Sequence, residues 1–91
     1  MIDPITIPGK WVEFVEAGHT GKTVICNVVA KEGGAVLGQI KWFGRWRRYA
    51  FFPHSDTIYE VTCLTDIAAF LNALMAVRKA ARRATAEEAR R

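Results

Sequence analysis

The stretch Lys41–Pro53 decides the fold, and its sequence is KWFGRWRRYAFFP. It contains two of the three tryptophans and six of the ten aromatic residues of the chain. It also contains four basic residues and no acidic residue. Aromatic side chains favour strands, and the glycine in Phe43-Gly44-Arg45 favours a turn. The stretch therefore predicts a basic, aromatic β-hairpin.

Three strands are predicted: the two arms of the hairpin and one strand before them. Thr23–Ala30 is rich in β-branched residues, and the glycines of Lys31–Gly34 suit a turn. Ala35–Trp42 and Trp46–Phe52 form the arms of the hairpin. Because strands joined by short turns usually pair with their sequence neighbours, we expect an antiparallel meander.

The segments on either side of the meander are less regular. Residues 1–9 contain two prolines and a glycine, and they predict an extended lead-in because proline lacks the N–H that a central strand donates. The loose alternation of Lys10–Ala17 favours a further short strand over a helical turn. After the hairpin, Thr57–Val61 is either a short edge strand or an extended connector.

A helix is predicted next, because apolar residues recur at the spacing of one helix face. These residues are Leu64, Ile67, Ala68, Leu71, Leu74 and Met75. Thr65 is the expected N-cap, with Thr62 as the alternative, and Asp66 would then lie in the first turn. Beyond Val77 the sequence keeps strong helix formers but loses large apolar residues, so this half is expected to project as a basic helix.

These segments predict an α+β fold in which a three- to four-stranded antiparallel meander packs against one long C-terminal helix. The expected organisation is an extended lead-in at 1–9, one α+β domain at 10–77 and a basic helical extension at 78–91. A chain of 91 residues has room for one domain.

Positive charge is concentrated in the second half of the chain. Residues 1–40 carry a net charge of −1, whereas residues 41–91 carry ten basic and five acidic side chains, a net charge of +5. The basic residues lie on the hairpin and on the C-terminal helix. This distribution fits an anionic partner, although a basic, solvated surface has the same composition.

Strand alternation divides the rings of the hairpin between two faces. Ile40 and Trp42 share one face, and the returning strand adds either Tyr49 and Phe51 or the alternate set. That alternate set is Trp46, Ala50 and Phe52. We expect Trp42 and one of the two sets to lie in the core, which leaves the other rings beside the basic side chains.

The free rings and the charges together suggest a binding site. Arginine contacts phosphate, and aromatic rings stack on bases. The candidate residues on the hairpin are Lys41, Arg45, Trp46, Arg47 and Arg48, and those on the helix are Arg78, Lys79 and Arg82, with Arg83 beside them. The leading hypothesis is a nucleic-acid-binding protein.

Two other kinds of partner remain open. Tryptophan and arginine are enriched at protein-binding hot spots, so an acidic host protein is an alternative partner, bound or inhibited through the same residues. An exposed edge strand or the protruding helix also allows a homodimer.

Several functional classes are not expected. Gly21-Lys22-Thr23 resembles the end of a phosphate-binding loop, but Glu16 stands where the motif requires glycine. We expect no enzyme, because no nucleophile–base pair or cofactor motif is present. Cys26 and Cys63 show no metal-ligand spacing with the histidines, so no metal or other cofactor is predicted. We expect no membrane span and no signal peptide, and therefore a cytosolic protein.

Parts of the chain resemble small proteins of bacteriophages and prophages over about residues 35–75. The resemblance is carried by Leu37–Pro53, which reads LGQIKWFGRWRRYAFFP, then by Thr57–Glu60 and by Cys63–Ala68, which reads CLTDIA. The resemblance implies a phage origin, and with it the cytoplasm of a bacterial host, but no particular activity.

The order of three strands followed by a helix also resembles, in outline, the amino-terminal arm-binding domains of phage-type integrases. Those domains place a three-stranded sheet in the DNA major groove and pack a helix behind it. Because the sequence predicts one small domain, we expect no catalytic domain after the helix, and the resemblance implies sheet-mediated DNA binding and not integrase activity.

Overall fold

The computed structural model describes residues 6–8 and 11–89, with side chains described for residues 11–84. Five strands precede one helix. The elements are β1 (Thr6–Pro8), β2 (Val12–His19), β3 (Val24–Ala30), β4 (Val36–Phe43), β5 (Arg48–Pro53) and α1 (Val61–Ala89).

The strands form one antiparallel sheet in the order β1-β2-β3-β4-β5, so every strand pairs with its sequence neighbour. The predicted α+β class, an antiparallel meander with a long C-terminal helix, is confirmed. The register of β2 with β3 shifts between Glu16 and Gly18, and that of β3 with β4 shifts between Val28 and Val29.

The predicted lead-in contributes a short strand to the sheet edge. Thr6–Pro8 pairs with Glu13–Val15 of β2 as β1. Proline is tolerated here because an edge strand needs only one of its two sides for pairing. The other residues of the predicted 1–9 segment lie outside the described residues.

One face of the sheet carries the core. Val12, Phe14, Val28 and Ile40 are each at most 3% exposed. Tyr49 is also buried, and it lies opposite Trp42 in the β4–β5 register.

The hairpin rings divide between the two faces as alternation requires. Trp42 and Phe51 pack against the buried cluster that contains Tyr49, which settles the choice between the two sets. Ala50 and Phe52 therefore belong to the opposite face of the sheet.

Helix α1 covers the core with one face. The rings of Phe70 on α1 and Phe14 on β2 stack at 4.3 Å between centroids and are nearly parallel. Ile67 is 4% exposed and completes this contact. The helix runs without interruption to Ala89, so the basic residues that follow Val77 continue the helix that is anchored in the core. A domain boundary at Val77 stays a prediction.

The helix begins earlier than predicted, at Val61, and neither Thr65 nor Thr62 caps it. The Cys63 N–H donates to Glu60 Oε1 at 2.8 Å, so a glutamate takes the role of the capping residue. Thr65 already lies inside the helix, where its hydroxyl donates to the Val61 carbonyl. Asp66 consequently falls in the second turn.

The segment between β5 and α1 is an extended connector and not a strand. Tyr59 fixes it to the sheet, because its hydroxyl donates to the Leu37 carbonyl at 2.8 Å. The Tyr59 ring also meets Phe51 edge to face at 5.3 Å between centroids. The helix therefore starts from a point anchored to both β4 and β5.

The hairpin turn is longer than predicted, because β5 starts at Arg48 and not at Trp46. Trp46 and Arg47 complete a turn in which their N–H groups donate to the carbonyls of Phe43 and Gly44. Arg47 has a φ of 53°, in the left-handed region, which costs a non-glycine residue about 1–2 kcal/mol. The hairpin tip thus carries exposed basic and aromatic residues outside the strands.

Gly38→Ala should lower the free energy of unfolding by about 1–3 kcal/mol, because the added methyl overpacks β4 against β5. A Cβ at Gly38 would lie 2.5 Å from the Phe52 carbonyl oxygen and 2.8 Å from the Phe51 ring. Urea denaturation followed by circular dichroism measures the change. Gly44→Ala is the control, since a Cβ there meets no atom within 4 Å. Equal stability of the two variants would contradict the close approach.

Glu60→Gln should lower the melting temperature at neutral pH and have little effect in acid. The Thr62 backbone N–H, and then that of Cys63, hold the pKa of Glu60 below its ordinary value of 4.5. A lowered folded-state pKa stabilises the fold above 4.5 and loses this effect as the pH falls through the folded-state value. Thermal melts of both proteins across this range test the capping role. A difference that persists unchanged in acid would contradict it.

Candidate nucleic-acid interface

A groove of about 570 Å³ opens between the hairpin tip and the C-terminal half of α1. We call it the basic groove, because five of its lining residues are basic and none of the described lining residues is acidic. The basic residues are Arg47, Arg78, Lys79, Arg82 and Arg83. Trp42, Met75 and Ala76 complete the lining.

Two elements bring these charges together. Arg47 reaches the groove from the hairpin tip, and its left-handed backbone belongs to the turn that ends before β5. The other four lie on α1 as two adjacent pairs one turn apart, Arg78-Lys79 and Arg82-Arg83, so they share one side of the helix. Like charges four residues apart destabilise a helix by about 0.2–0.5 kcal/mol per pair, and α1 contains two such pairs in this segment.

Arg78 is the anchored member of the group. Its guanidinium carbon lies 4.1 Å from the ring centroid of Trp42, a cation–π distance. Nη1 donates to the Lys22 carbonyl at 3.4 Å, which is a long hydrogen bond. Nε is buried and has no hydrogen-bond partner. The guanidinium is therefore held in a fixed position over the Trp42 ring, at the lining of the basic groove.

Trp42 links the groove to the core. Its ring contacts the Tyr49 ring edge to face on the core face of the sheet, with 5.4 Å between the centroids. The Arg78 guanidinium stacks on the same Trp42 ring. Tyr49 is held in turn, since its hydroxyl accepts the Val24 N–H at 3.2 Å. The floor of the basic groove is thus tied to the sheet by ring contacts and a hydrogen bond, which favours a preorganised site.

The predicted site residues separate into two groups. Arg47, Arg78, Lys79 and Arg82 meet in the basic groove. Arg45 and Trp46 are exposed at the hairpin tip, and Arg48 is exposed at the start of β5. Trp46 is 65% exposed, with one edge against Phe43 at 4.8 Å between centroids.

Lys41 does not join the basic groove. It alternates with Trp42 along β4, so it lies on the opposite face of the sheet. There its Nζ sits 4.6 Å from the centroid of the Phe52 ring. The sequence placed Lys41 near the other charges of the hairpin, but the pleat separates them.

The sequence interpretation missed the place of Trp42 in the site, because it assigned this residue to the core alone. Only the return of α1 past the hairpin shows that the ring has a second neighbour in Arg78. The alternation of side chains along β4 predicts that Trp42 faces the core. Nothing in the local sequence predicts that α1 passes beside its ring.

The cysteines are poor candidates for nucleophilic chemistry. Burial, and then the charge of Glu16, raise the pKa of Cys26 to about 11, so its thiolate is scarce at neutral pH. Burial also raises the pKa of Cys63, which is half-buried. Within the described part of the chain, no three His, Cys, Asp or Glu side chains lie close enough together to hold a metal ion.

Helix α1 leaves much apolar surface exposed. Val61–Ala84 is long and apolar enough to cross a membrane by length and composition, yet only 11% of its most apolar 18-residue window is buried. A single helix that meets these criteria is weak evidence for a membrane span.

Comparison with known proteins finds a relative in a bacteriophage. The chain is 37% identical over 71 residues to the "Uncharacterized 9.3 kDa protein" of Acholeplasma phage L2. The match covers 77% of this chain and 91% of the relative. No family model and no solved structure matches. The resemblance to small phage proteins is confirmed, whereas the proposed tryptophan–glycine–arginine pattern and the likeness to integrase domains stay predictions.

The positive potential of the basic groove can be measured at Trp42. In a Trp11→Phe/Trp46→Phe variant, Trp42 is the remaining tryptophan of the three. Iodide should quench its fluorescence more strongly than caesium at low salt, and the difference should shrink as salt screens the groove. Charge reversal of Lys79 and Arg82 to glutamate should reduce iodide quenching, and Lys31→Glu should not. Equal quenching by the two ions at low salt would contradict a positive groove.

Proposed function

We propose that this chain, which belongs to the same family of small phage proteins as the 9.3 kDa protein of Acholeplasma phage L2, binds nucleic acid through the basic groove. The observation that carries the proposal is the basic groove itself, in which Arg78 stacks on Trp42 beside four further cations and no described lining residue is acidic. A polyanion supplies the acceptors that this site lacks. Binding takes place in the cytoplasm of the bacterial host, without catalysis and without a cofactor.

The role that we assign to each residue follows from its exposure. Arg47, Lys79, Arg82 and Arg83 contact phosphates, because flexible exposed cations track a backbone without reading sequence. Arg78 is preorganised on Trp42 and fixes one phosphate. Trp46 stands exposed beside Arg45 at the hairpin tip, where an unpaired base can stack on it.

The integrase-like mode, in which the sheet itself enters the DNA major groove, is a variant of this proposal. It would use the face that carries Lys41 and Phe52. The basic groove contains more charge than that face does around Lys41, so we place the principal contact between the hairpin tip and α1.

Fluorescence anisotropy with labelled single-stranded and duplex oligonucleotides tests the proposal. Five phosphate contacts predict that affinity falls by about 10²–10³-fold between 50 and 200 mM salt. Arg47→Ala, Lys79→Ala and Arg82→Ala should each weaken binding and reduce the salt slope by about 0.7–0.9. Arg78→Lys should also weaken it, because an ammonium cannot reproduce the stacked guanidinium.

Lys31→Ala is the matched control, because Lys31 is exposed in the turn after β3 and does not line the groove. It removes the same charge and should leave the affinity nearly unchanged. An absence of binding below about 10 µM at low salt would refute the proposal, since non-specific complexes usually do better. An equal loss for Lys31→Ala would assign the binding to net charge alone.

The alternative partner, an acidic host protein, predicts a different pattern. The exposed Trp46 at a basic hairpin tip is the observation in its favour, because such residues are typical of binding hot spots. A protein that is retained from nuclease-treated lysate, and is released by Trp46→Ala and Arg47→Glu, would favour this alternative over nucleic acid.

A further inference from the structure

Strand β5 is an edge of the sheet, and its free side faces a second groove beside α1. This edge groove has a volume of about 360 Å³ and is lined mainly by apolar side chains. Tyr49 and Phe51 line it from β5, Trp46 from the hairpin, and Ala68, Leu71 and Met75 from α1. It is separate from the basic groove except at Met75, which lines both.

The backbone of β5 offers hydrogen bonds to this groove. The Tyr49 N–H points away from β4 and donates to Met75 Sδ at 3.4 Å. A thioether is a weak acceptor, so this contact protects the edge poorly. Because the N–H and C=O groups of alternate residues in an antiparallel strand point the same way, those of Phe51 also face the free edge.

A stripe of apolar residues on α1 continues the same surface. Val61, Leu64, Ala68, Leu71 and Met75 are spaced by three and four residues, the pattern that paired helices bury between them. The first three are exposed, Val61 to 73% and Leu64 to 50%. The stripe begins outside the core contact of Ile67 and Phe70. Its first three residues are open to solvent, whereas Leu71 and Met75 also pack against the core.

The two edges of the sheet are not equivalent. β1 has three residues and ends at Pro8, and short edges with proline resist further pairing. β5 has six residues, and its proline is the last of them. Only β5 therefore suits strand addition, and an edge that pairs with its own copy closes a two-fold dimer instead of growing a fibre.

We propose that two copies of this chain pair through the β5 edges and the α1 stripes, about a two-fold axis that passes near Phe51. The axis is perpendicular to the sheet, so the two sheets join into one of ten strands. Both helices lie on the same face of that sheet and run antiparallel. The Phe51 N–H of each copy donates to the Phe51 carbonyl of the other.

Charge favours a second copy as the occupant. Asp66 is the single charged residue of α1 between Val61 and Val77, so the stripe needs no charge complement from its partner. With Phe51 near the axis, the two Arg48 residues lie about 20 Å apart along the strands. That distance exceeds the screening length of about 8 Å at physiological salt. The basic grooves therefore lie at opposite ends of the dimer and repel each other little.

The surface is also large enough for a dimer. The exposed parts of Val61 and Leu64 alone amount to roughly 200 Å² per copy, about a quarter of the ~800 Å² that a standard interface buries on each side. The β5 edge and the rest of the stripe supply the remainder.

Sedimentation equilibrium of the full chain without nucleic acid tests the dimer. The wild-type protein should show twice its 10.2 kDa mass at micromolar concentration. Ala68→Glu places two like charges in the interface and should raise the dimer dissociation constant at least about tenfold, with Leu64→Glu as a second variant. Both side chains are exposed in the single chain, so the variants should keep the wild-type circular dichroism spectrum.

Val77→Glu is the matched control. Val77 is 69% exposed and lies nine residues from Ala68, on the opposite side of the helix, so this variant should remain a dimer. A wild-type monomer at every concentration would overturn the inference, and so would a dimer that Val77→Glu breaks while Ala68→Glu does not. Concentration-dependent growth beyond the dimer would indicate head-to-tail pairing instead. Because no nucleic acid is present, the result is independent of whether the basic groove binds it.

Discussion

The contact between Trp42, Tyr49 and Arg78 connects the core of this protein to its charged surface. Tyr49 meets the Trp42 ring on the core face, and Arg78 covers the ring from the helix. The Tyr49 hydroxyl reaches the first residue of β3, and its backbone N–H reaches Met75 on α1. One pair of facing residues in a hairpin thereby fixes the third strand, the hairpin and the second half of the helix relative to each other.

Much of the fold follows from patterns in the sequence, because strand alternation and short turns are local. They predict the meander, and they predict which residues of β4 join the core. The helix start could not be predicted in the same way. Thr65 and Thr62 are better capping types than Glu60, but the connector is fixed by Tyr59 on the sheet, and that attachment lets the helix begin at Val61. A tertiary contact overrides the local preference at this point.

The candidate site was predictable in composition but not in arrangement. Charge clustering identified Arg47, Arg78, Lys79 and Arg82, because the second half of the chain is basic. The pleat of β4 removes Lys41 from that group. The partners of Arg78 depend on the angle at which α1 crosses the sheet, and no short-range pattern encodes that angle. The groove is therefore a product of the packing of Phe70 and Ile67, which sets the direction of the helix.

Helix α1 departs from the usual pattern of a surface helix in both of its halves. Its first half exposes apolar residues, and its second half repeats like charges at four-residue spacing, which weakens a helix. Local costs of this kind are expected where function requires them. Pairing with a second helix would offset the cost of the exposed apolar residues in the first half. An anionic ligand would offset the charge repulsion in the second half. A dimer with a basic groove at each end would also hold a long nucleic acid at two points, and the second contact would then form at a raised effective concentration. The two halves of one helix would then combine weak individual contacts into stable binding.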